Sequence, residues 1–217
     1  MTLAAQAMIK VMLVADHALV RAGLRHRFTE RDGIGVIAEC SHQDRPGETY
    51  LSCRPDVVIL ELGMPGMRAL ESLQLLLSHD AQARVLVFSL QQNDALTLQA
   101  LSQGARGYVA EAGFDDEIFN GVTEVAAGRI FLSGDMAQKM IAHTLGGERS
   151  PMQGLSGREL EVFSLLAEGR SVEEIAAMLH LSQKTVFNYQ TALRQKLGIS
   201  SPVDLLRMAQ QLGLIGK

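Results

Sequence analysis

The chain has no tryptophan, two cysteines and five prolines, and aromatic residues make up only 5% of its 217 positions. Each shortage excludes something. With so few large rings, a buried interior has to be assembled from aliphatic side chains. Cys40 and Cys53 are too few for a disulfide scaffold or a zinc framework, and they are expected as free thiols in a reducing compartment. No apolar run approaches the roughly 18 residues of a membrane-spanning helix, so no membrane partner is expected. Lys10 interrupts the first apolar stretch and no basic region precedes it, which argues against a secretory signal and for a cytoplasmic location. What the chain does have is apolar residues, 47% of the total, enough for a sizeable core in one large or two small domains. That content excludes intrinsic disorder.

The formal charge of −4 carries little meaning as a sum, but its distribution is uneven. Residues 1–133 hold 11 Lys and Arg against 16 Asp and Glu, whereas residues 155–217 hold 7 against 6. Within the latter, residues 181–203 contain Lys184, Arg194 and Lys196 and no acid. A locally basic helix in an acidic protein is the electrostatic footprint of a nucleic-acid contact, although a solvated helical face produces the same count.

The first half alternates strand and helix. Ile9 to Val14, Ile34 to Cys40, Val57 to Leu60, 84–89 and 107–110 read as strands. Between and after them, Leu19 to Phe28, Gln43 to Leu51, 67–79, 93–103 and 114–127 read as helices, with Pro46 tolerable only near a helix start. Val57-Val58-Ile59-Leu60 is the continuous aliphatic run of a strand covered on both faces. This alternation predicts an α/β domain over 8–133, a flavodoxin-like, doubly wound, parallel five-stranded sheet. Residues 134–153 follow as a short helix from Asp135 to Leu145 and a turn-rich linker, Gly146-Gly147-Glu148-Arg149-Ser150-Pro151.

Residues 154–217 read as an all-α domain of four helices. Ser156-Gly157-Arg158-Glu159 and Ser171-Val172-Glu173-Glu174 are capping boxes, in which serine accepts from a first-turn amide and glutamate reaches back. Ser182 caps a third helix that runs to Leu197 and stops at Gly198, and Ser201-Pro202 opens a fourth. A short helix, a tight turn at 180–182 and a longer helix give helix-turn-helix spacing.

At 100° per residue, Leu193 and Leu197 fall within about 20° of Val186, and the three face a core. Lys184, Asn188, Thr191 and Gln195 cluster opposite, with Phe187 on one flank. Together with Thr185, Tyr189, Arg194 and Lys196 they form the candidate DNA-binding set. Amide side chains pair bidentately with adenine, hydroxyl and ammonium groups meet phosphates, and an aromatic ring can touch a thymine methyl. A bland polar face would normally carry some glutamate. On the fourth helix, Leu205, Leu206, Met208, Ala209 and Leu212 supply an apolar face suited to dimer pairing.

These residues carry a resemblance. KVMLVADHALVRAGL, PDVVILELGMPGMRALE, VLVFS and GARGYVAEAG are similar to the landmark segments of receiver domains. LSGRELEVFSLLAEGRSVEEIAAMLHLSQKTVFNYQTALRQKLGI is similar to the LuxR-type helix-turn-helix. Together they resemble NarL/FixJ-class response regulators of two-component systems over about residues 8–133 and 153–215. The resemblance implies transcription regulation, double-stranded DNA as partner and a homodimer, with RNA polymerase or another regulator as a further partner. It also assigns a phosphorylation pocket at the carboxyl ends of the strands. Where the family has two adjacent acids that help hold Mg²⁺, this chain has Ala15 and Asp16. The phosphate-accepting aspartate is here Glu61, and the phosphate-pairing lysine is Glu111. Ser89 and the aromatic switch position, Tyr108, are kept.

Acyl-phosphate formation needs an in-line carboxylate and a divalent ion to neutralise incoming charge. Glu61 is one methylene too long, one metal-binding acid is gone, and Glu111 puts negative charge where the family has positive. The receiver is therefore expected to be atypical, with Glu61 unphosphorylated, no cofactor, and Mg²⁺ binding weak or absent. Whether Glu61 is a fixed anionic mimic or part of a vestigial pocket stays open. Asp16, Glu61 and Glu111 are expected to converge, so that one carboxyl stays protonated or a cation such as Arg68 moves in. His17, beside the pocket, reads as a structural or surface histidine. Two other functions stand beside phosphorylation-independent DNA binding: an interaction protein that modulates other regulators through its receiver, and a regulator switched at an unconventional receiver site. No catalytic role is expected, since no nucleophile–base pair, phosphate-cradling glycine loop or metal-ligand cluster is present.

Overall fold

The computed structural model describes residues 8–63, 67–89, 94–110, 116–134, 136–145 and 155–211, apart from the side chains of 67, 95, 142–145 and 211. The described chain divides into two compact units that part between Ala137 and Gln138, except that Met67 and residues 94–99 group with the second.

In the first unit, β1 (Ile9–Val14), α1 (Ala18–Thr29), β2 (Ile34–Cys40), α2 (Pro46–Cys53), β3 (Val57–Glu61), α3 (Met67–His79), β4 (Val85–Ser89), α4 (Asp94–Ser102), β5 (Gly107–Ala110), α5 (Glu117–Ala126) and β6 (Phe131–Leu132) follow in order. All strands pair in parallel, in the order β2-β1-β3-β4-β5-β6. Every residue of β3 and β4 is buried, as two-sided coverage of a central strand requires. Val11, Leu13, Ile59, Leu86, Phe88 and Val109 form the core with Leu24 and Phe28 of α1 and Ile118, Phe119 and Val122 of α5. Two of the few aromatics are used here, Phe28 meeting Phe119 edge-on at 5.4 Å between ring centroids. Gly107 is required at the start of β5, because a Cβ there would come within 2.8 Å of the Phe131 carbonyl oxygen.

Two sequence expectations need correction. The sheet has six strands, not five. The sixth is two residues held by backbone bonds, Phe131 N–H to Arg106 O and Ser133 N–H to Tyr108 O, and is too short for any hydrophobic pattern to mark. The second helix starts at Pro46, not Gln43. Proline disfavours helical dihedrals in its predecessor, and Arg45 sits at φ 51°, ψ 63°.

In the second unit, α6 (Met136–Leu145) is separated by undescribed residues from α7 (Gly157–Ala167), α8 (Val172–Met178), α9 (Gln183–Leu197) and α10 (Pro202–Gln211). Both capping boxes form, Ser156 with Glu159 and Ser171 with Glu174. Ser182 accepts from Thr185 N–H, and Gly198, at φ 65°, closes α9 in the left-handed conformation. Phe163, Ile175, Val186, Leu193 and Ala209 are among the buried residues of these helices. The linker 146–151 expected between the domains lies outside the described residues.

Candidate nucleic-acid interface and acidic pocket

The helix-turn-helix is α8, a turn and α9. The turn is tight enough to force His180 to φ 53°, with Leu181 N–H bonded back to Ala176 O. With Val186, Leu193 and Leu197 buried, the opposite face of α9 is fixed toward solvent. Lys184, Phe187, Asn188, Thr191, Arg194, Gln195 and Lys196 are exposed, and Thr185 and Tyr189 are partly so. The exposed stripe is free of acids, as its sequence requires.

The members of this set are not equivalent. Thr185 Oγ1 and Ser182 Oγ lie 2.8 Å apart, and Thr191 Oγ1 donates to Phe187 O at 3.0 Å. Lys196 Nζ donates to Glu159 Oε2 at 2.7 Å, tying the end of α9 to the start of α7. Glu159 is buried, which alone would raise its pKa. The bonds from Lys196 and from Ser156 outweigh that effect and hold the carboxyl below its ordinary value.

On α10 the proposed dimer face is only partly presented. Leu206 is exposed and Leu205 and Met208 are half-buried, but Ala209 is fully buried within the domain and cannot meet a partner. Leu205 and Leu206 line an apolar cavity of about 280 Å³ with Leu166, Leu193, Ile199 and Pro202. Leu212 lies outside the described residues.

In the first unit, Ala15 and Asp16 follow β1, Glu61 ends β3 and Ser89 ends β4. β1 and β3 are adjacent, as are β3 and β4, so these residues gather at one sheet edge. Tyr108 is buried on neighbouring β5, and Glu111 lies outside the described residues. The link between Asp16 and Glu61 is His42, in the loop after β2. Its backbone N–H donates to Asp16 Oδ1 at 2.9 Å, and its Nε2 lies 3.0 Å from the Glu61 carbonyl oxygen. A carbonyl only accepts, so Nε2 carries a proton, while Nδ1 lies 3.0 Å from Ser72 Oγ, which can donate or accept. Burial pushes the His42 pKa down, which favours the neutral ring with Nδ1 accepting from Ser72.

The other oxygen of Asp16, Oδ2, lies 3.6 Å from Arg68 Nη1. An arginine beside Asp16 is one of the two outcomes expected for converging carboxylates, while the convergence with Glu111 lies outside the described residues. Arg21 donates from Nη1 to the carbonyls of Ala15 and Asp16, fixing the loop after β1. Glu61 is 3% exposed, and its Oε1 lies 3.2 Å from Nδ1 of His17, which is 64% exposed. Ser89 Oγ donates to Leu62 O at 3.0 Å.

Mg²⁺ demands near-octahedral oxygen coordination at close range. Here Ala15 supplies no carboxylate, both oxygens of Asp16 are engaged, and the Glu61 oxygen nearest His17 is engaged too. These residues do not fit a magnesium site as they stand. Sequence reasoning missed His42, Ser72 and Arg21, whose partners lie up to 30 residues away and meet only once the loops are placed.

Among the described residues no helix is long and apolar enough to cross a membrane. Comparison with known proteins places residues 11–122 on the response regulator receiver domain and residues 153–209 on the bacterial regulatory proteins of the luxR family. Response regulator UvrY of Escherichia coli (strain K12) is 32% identical over 209 residues, 95% of this chain and 96% of that protein. A two-component response regulator of the LuxR family from Aurantimonas sp. SI85-9A1 is 32% identical, with a TM-score of 0.59 over 64% of this chain and 99% of that structure. RcsB of Salmonella enterica serovar Typhimurium, solved on promoter DNA with a phosphomimetic, shares the fold at 22% identity and a TM-score of 0.61. That alignment covers 94% of this chain and 98% of the RcsB chain.

Proposed function

This chain belongs to the response regulators of the luxR family, a receiver domain joined to a DNA-binding helix-turn-helix, and from that premise we propose that it is a sequence-specific transcriptional regulator whose receiver works without phosphorylation. The observation that carries DNA binding is the acid-free, solvent-facing stripe of α9. As a recognition helix in the major groove, α9 offers Asn188 and Gln195 for adenine edges and Lys184 and Arg194 for phosphates or guanine. Binding as a homodimer would match two half-sites about one helical turn apart, with Leu205, Leu206 and Met208 of α10 near the two-fold axis.

Phosphorylation independence rests on the acidic pocket. Among the described residues, the divalent ion that would neutralise an incoming phosphoryl group finds Asp16 already satisfied by Arg68 and the His42 N–H. The carboxylate at the phosphate-accepting position is Glu61, buried and facing His17. In this reading Arg68 is the built-in cation of the pocket. The receiver then serves as a dimerising and partner-contacting module, set by protein contacts.

A gel-shift of the full-length protein at moderate salt, on DNA upstream of its own gene and on an unrelated duplex, tests the DNA reading. The expected result is retardation of the first at concentrations that leave the second free. The competing reading, an interaction protein that modulates other regulators, predicts equal and weak retention of both.

A further inference from the structure

α9 holds an aromatic ring in water on one flank of its acid-free face. Phe187 is 53% exposed. Its helical-surface neighbours at i−3, i+4 and i+7 are Lys184, Thr191 and Arg194, all exposed. Two hydroxyls of the region are already engaged. Thr191 gives its proton to the Phe187 carbonyl, and Thr185 is paired with Ser182 at the N-cap. The groups left to interrogate a base edge are the amides of Asn188 and Gln195, the two cations, the partly exposed Tyr189 and the Phe187 ring.

A protein pocket that accepted this ring would also have to accept Lys184 and Arg194 beside it. A duplex supplies phosphates for the cations and, on the major-groove edges of its bases, one apolar group, the thymine C5-methyl. Guanine and adenine would place polar atoms under the ring, where they lose water and gain no bond, and cytosine carries only a C5–H where thymine has its methyl. We infer that Phe187 is a specificity-determining residue that reads thymine through its C5-methyl group, so that the operator half-site carries a fixed thymine beneath it. This inference rests on the DNA-binding reading above and adds the base class that the site selects. Covering one methyl group contributes about fourfold in affinity for each thymine contacted.

The test begins by selecting duplexes from a randomised pool with the full-length protein. Each thymine of the best duplex is then replaced in turn by uracil, which removes the methyl and leaves base pairing unchanged. The expected result is a thymine position in each half-site where uracil weakens binding about fourfold. Phe187→Ala should lose both the thymine enrichment and the uracil penalty there, and Phe187→Leu should keep part of each. Since the ring is exposed, either variant leaves the domain's packing intact. A selected duplex indifferent to uracil at every position, or a penalty unchanged in Phe187→Ala, overturns this inference while DNA binding stands. A pool that yields no enriched duplex overturns the DNA-binding reading and this inference with it.

Discussion

Glu159 joins the first turn of α7 to the last turn of α9, and its removal should loosen the DNA-binding unit without touching the sheet. Its Oε2 accepts from Ser156 N–H at 2.7 Å, from Ser156 Oγ at 2.9 Å and from Lys196 Nζ at 2.7 Å. Losing the reciprocal half of a capping box costs about 1 kcal/mol. The ion pair contributes less than a buried one would, because the Lys196 side chain is 43% exposed and screened by water; about 0.5–1 kcal/mol is reasonable. Together Glu159→Ala should cost roughly 2 kcal/mol, which speeds exchange through local opening by about 30-fold. Amide hydrogen exchange read by mass spectrometry separates the two units. Amides of α7 and α9 should exchange about 30-fold faster and those of β1, β3 and β4 at the wild-type rate. Glu159→Gln, which keeps the capping box and loses the charge, should show only the ion-pair share. The pH dependence has a definite sign. The Glu159 carboxyl is held low, so its contribution is present above the unfolded glutamate value of about 4.3 and is lost as pH falls through the folded value. The gap between wild type and Glu159→Ala should therefore close on acidification. Exchange in α7 and α9 within twofold of wild type would refute the reasoning and return Lys196 to a purely DNA-facing role.

Asn188→Ala should cost about 1–3 kcal/mol on the preferred duplex and relax its base preference, whereas Lys184→Ala should weaken all duplexes alike and reduce the salt slope by about 1. Titrations of both variants at several salt concentrations check this; a uniform loss from Asn188→Ala would mean that α9 is misplaced on DNA. Sedimentation equilibrium of the full-length chain at micromolar concentration, without any phosphoryl donor, should show a dimer, and a monomer throughout would contradict the homodimer. Cys40, buried and with burial as the main cause pushing its thiol up to about 11, should resist alkylation at pH 8 in the folded protein and react on unfolding. Labelling of native Cys40 at the rate of a free thiol would disprove that environment.

Features set by neighbouring residues could be read from the chain directly. The aliphatic runs of β3 and β4 mark central parallel strands because both faces must be covered. Both capping boxes and the Gly198 stop are contacts within a few residues. β6 escaped because its two residues are held by backbone bonds that leave no side-chain pattern. Ala209 was assigned to the dimer face because an apolar stripe on α10 does not say which of its edges packs inward. Counting charge placed Lys196 with the DNA contacts, but a count cannot see Glu159, 37 residues earlier. Arg68 beside Asp16 is one of two outcomes that the carboxylates of the sequence allow, and its Nη1 lies 3.6 Å from Asp16 Oδ2. His42 was not foreseen, since what makes it matter is a loop that sets its ring between Ser72 and the Glu61 carbonyl.

Phosphorylation independence is tested most directly by incubating the full-length protein with acetyl phosphate and Mg²⁺, then measuring its intact mass and its affinity for the selected duplex in the same sample. With Arg68 and His42 occupying Asp16, and Glu61 buried against His17, the mass should show no phosphoryl addition and the affinity should not change. A stable phosphoryl adduct that is absent from Glu61→Ala, accompanied by tighter DNA binding, would contradict the account and restore a phosphorylation switch.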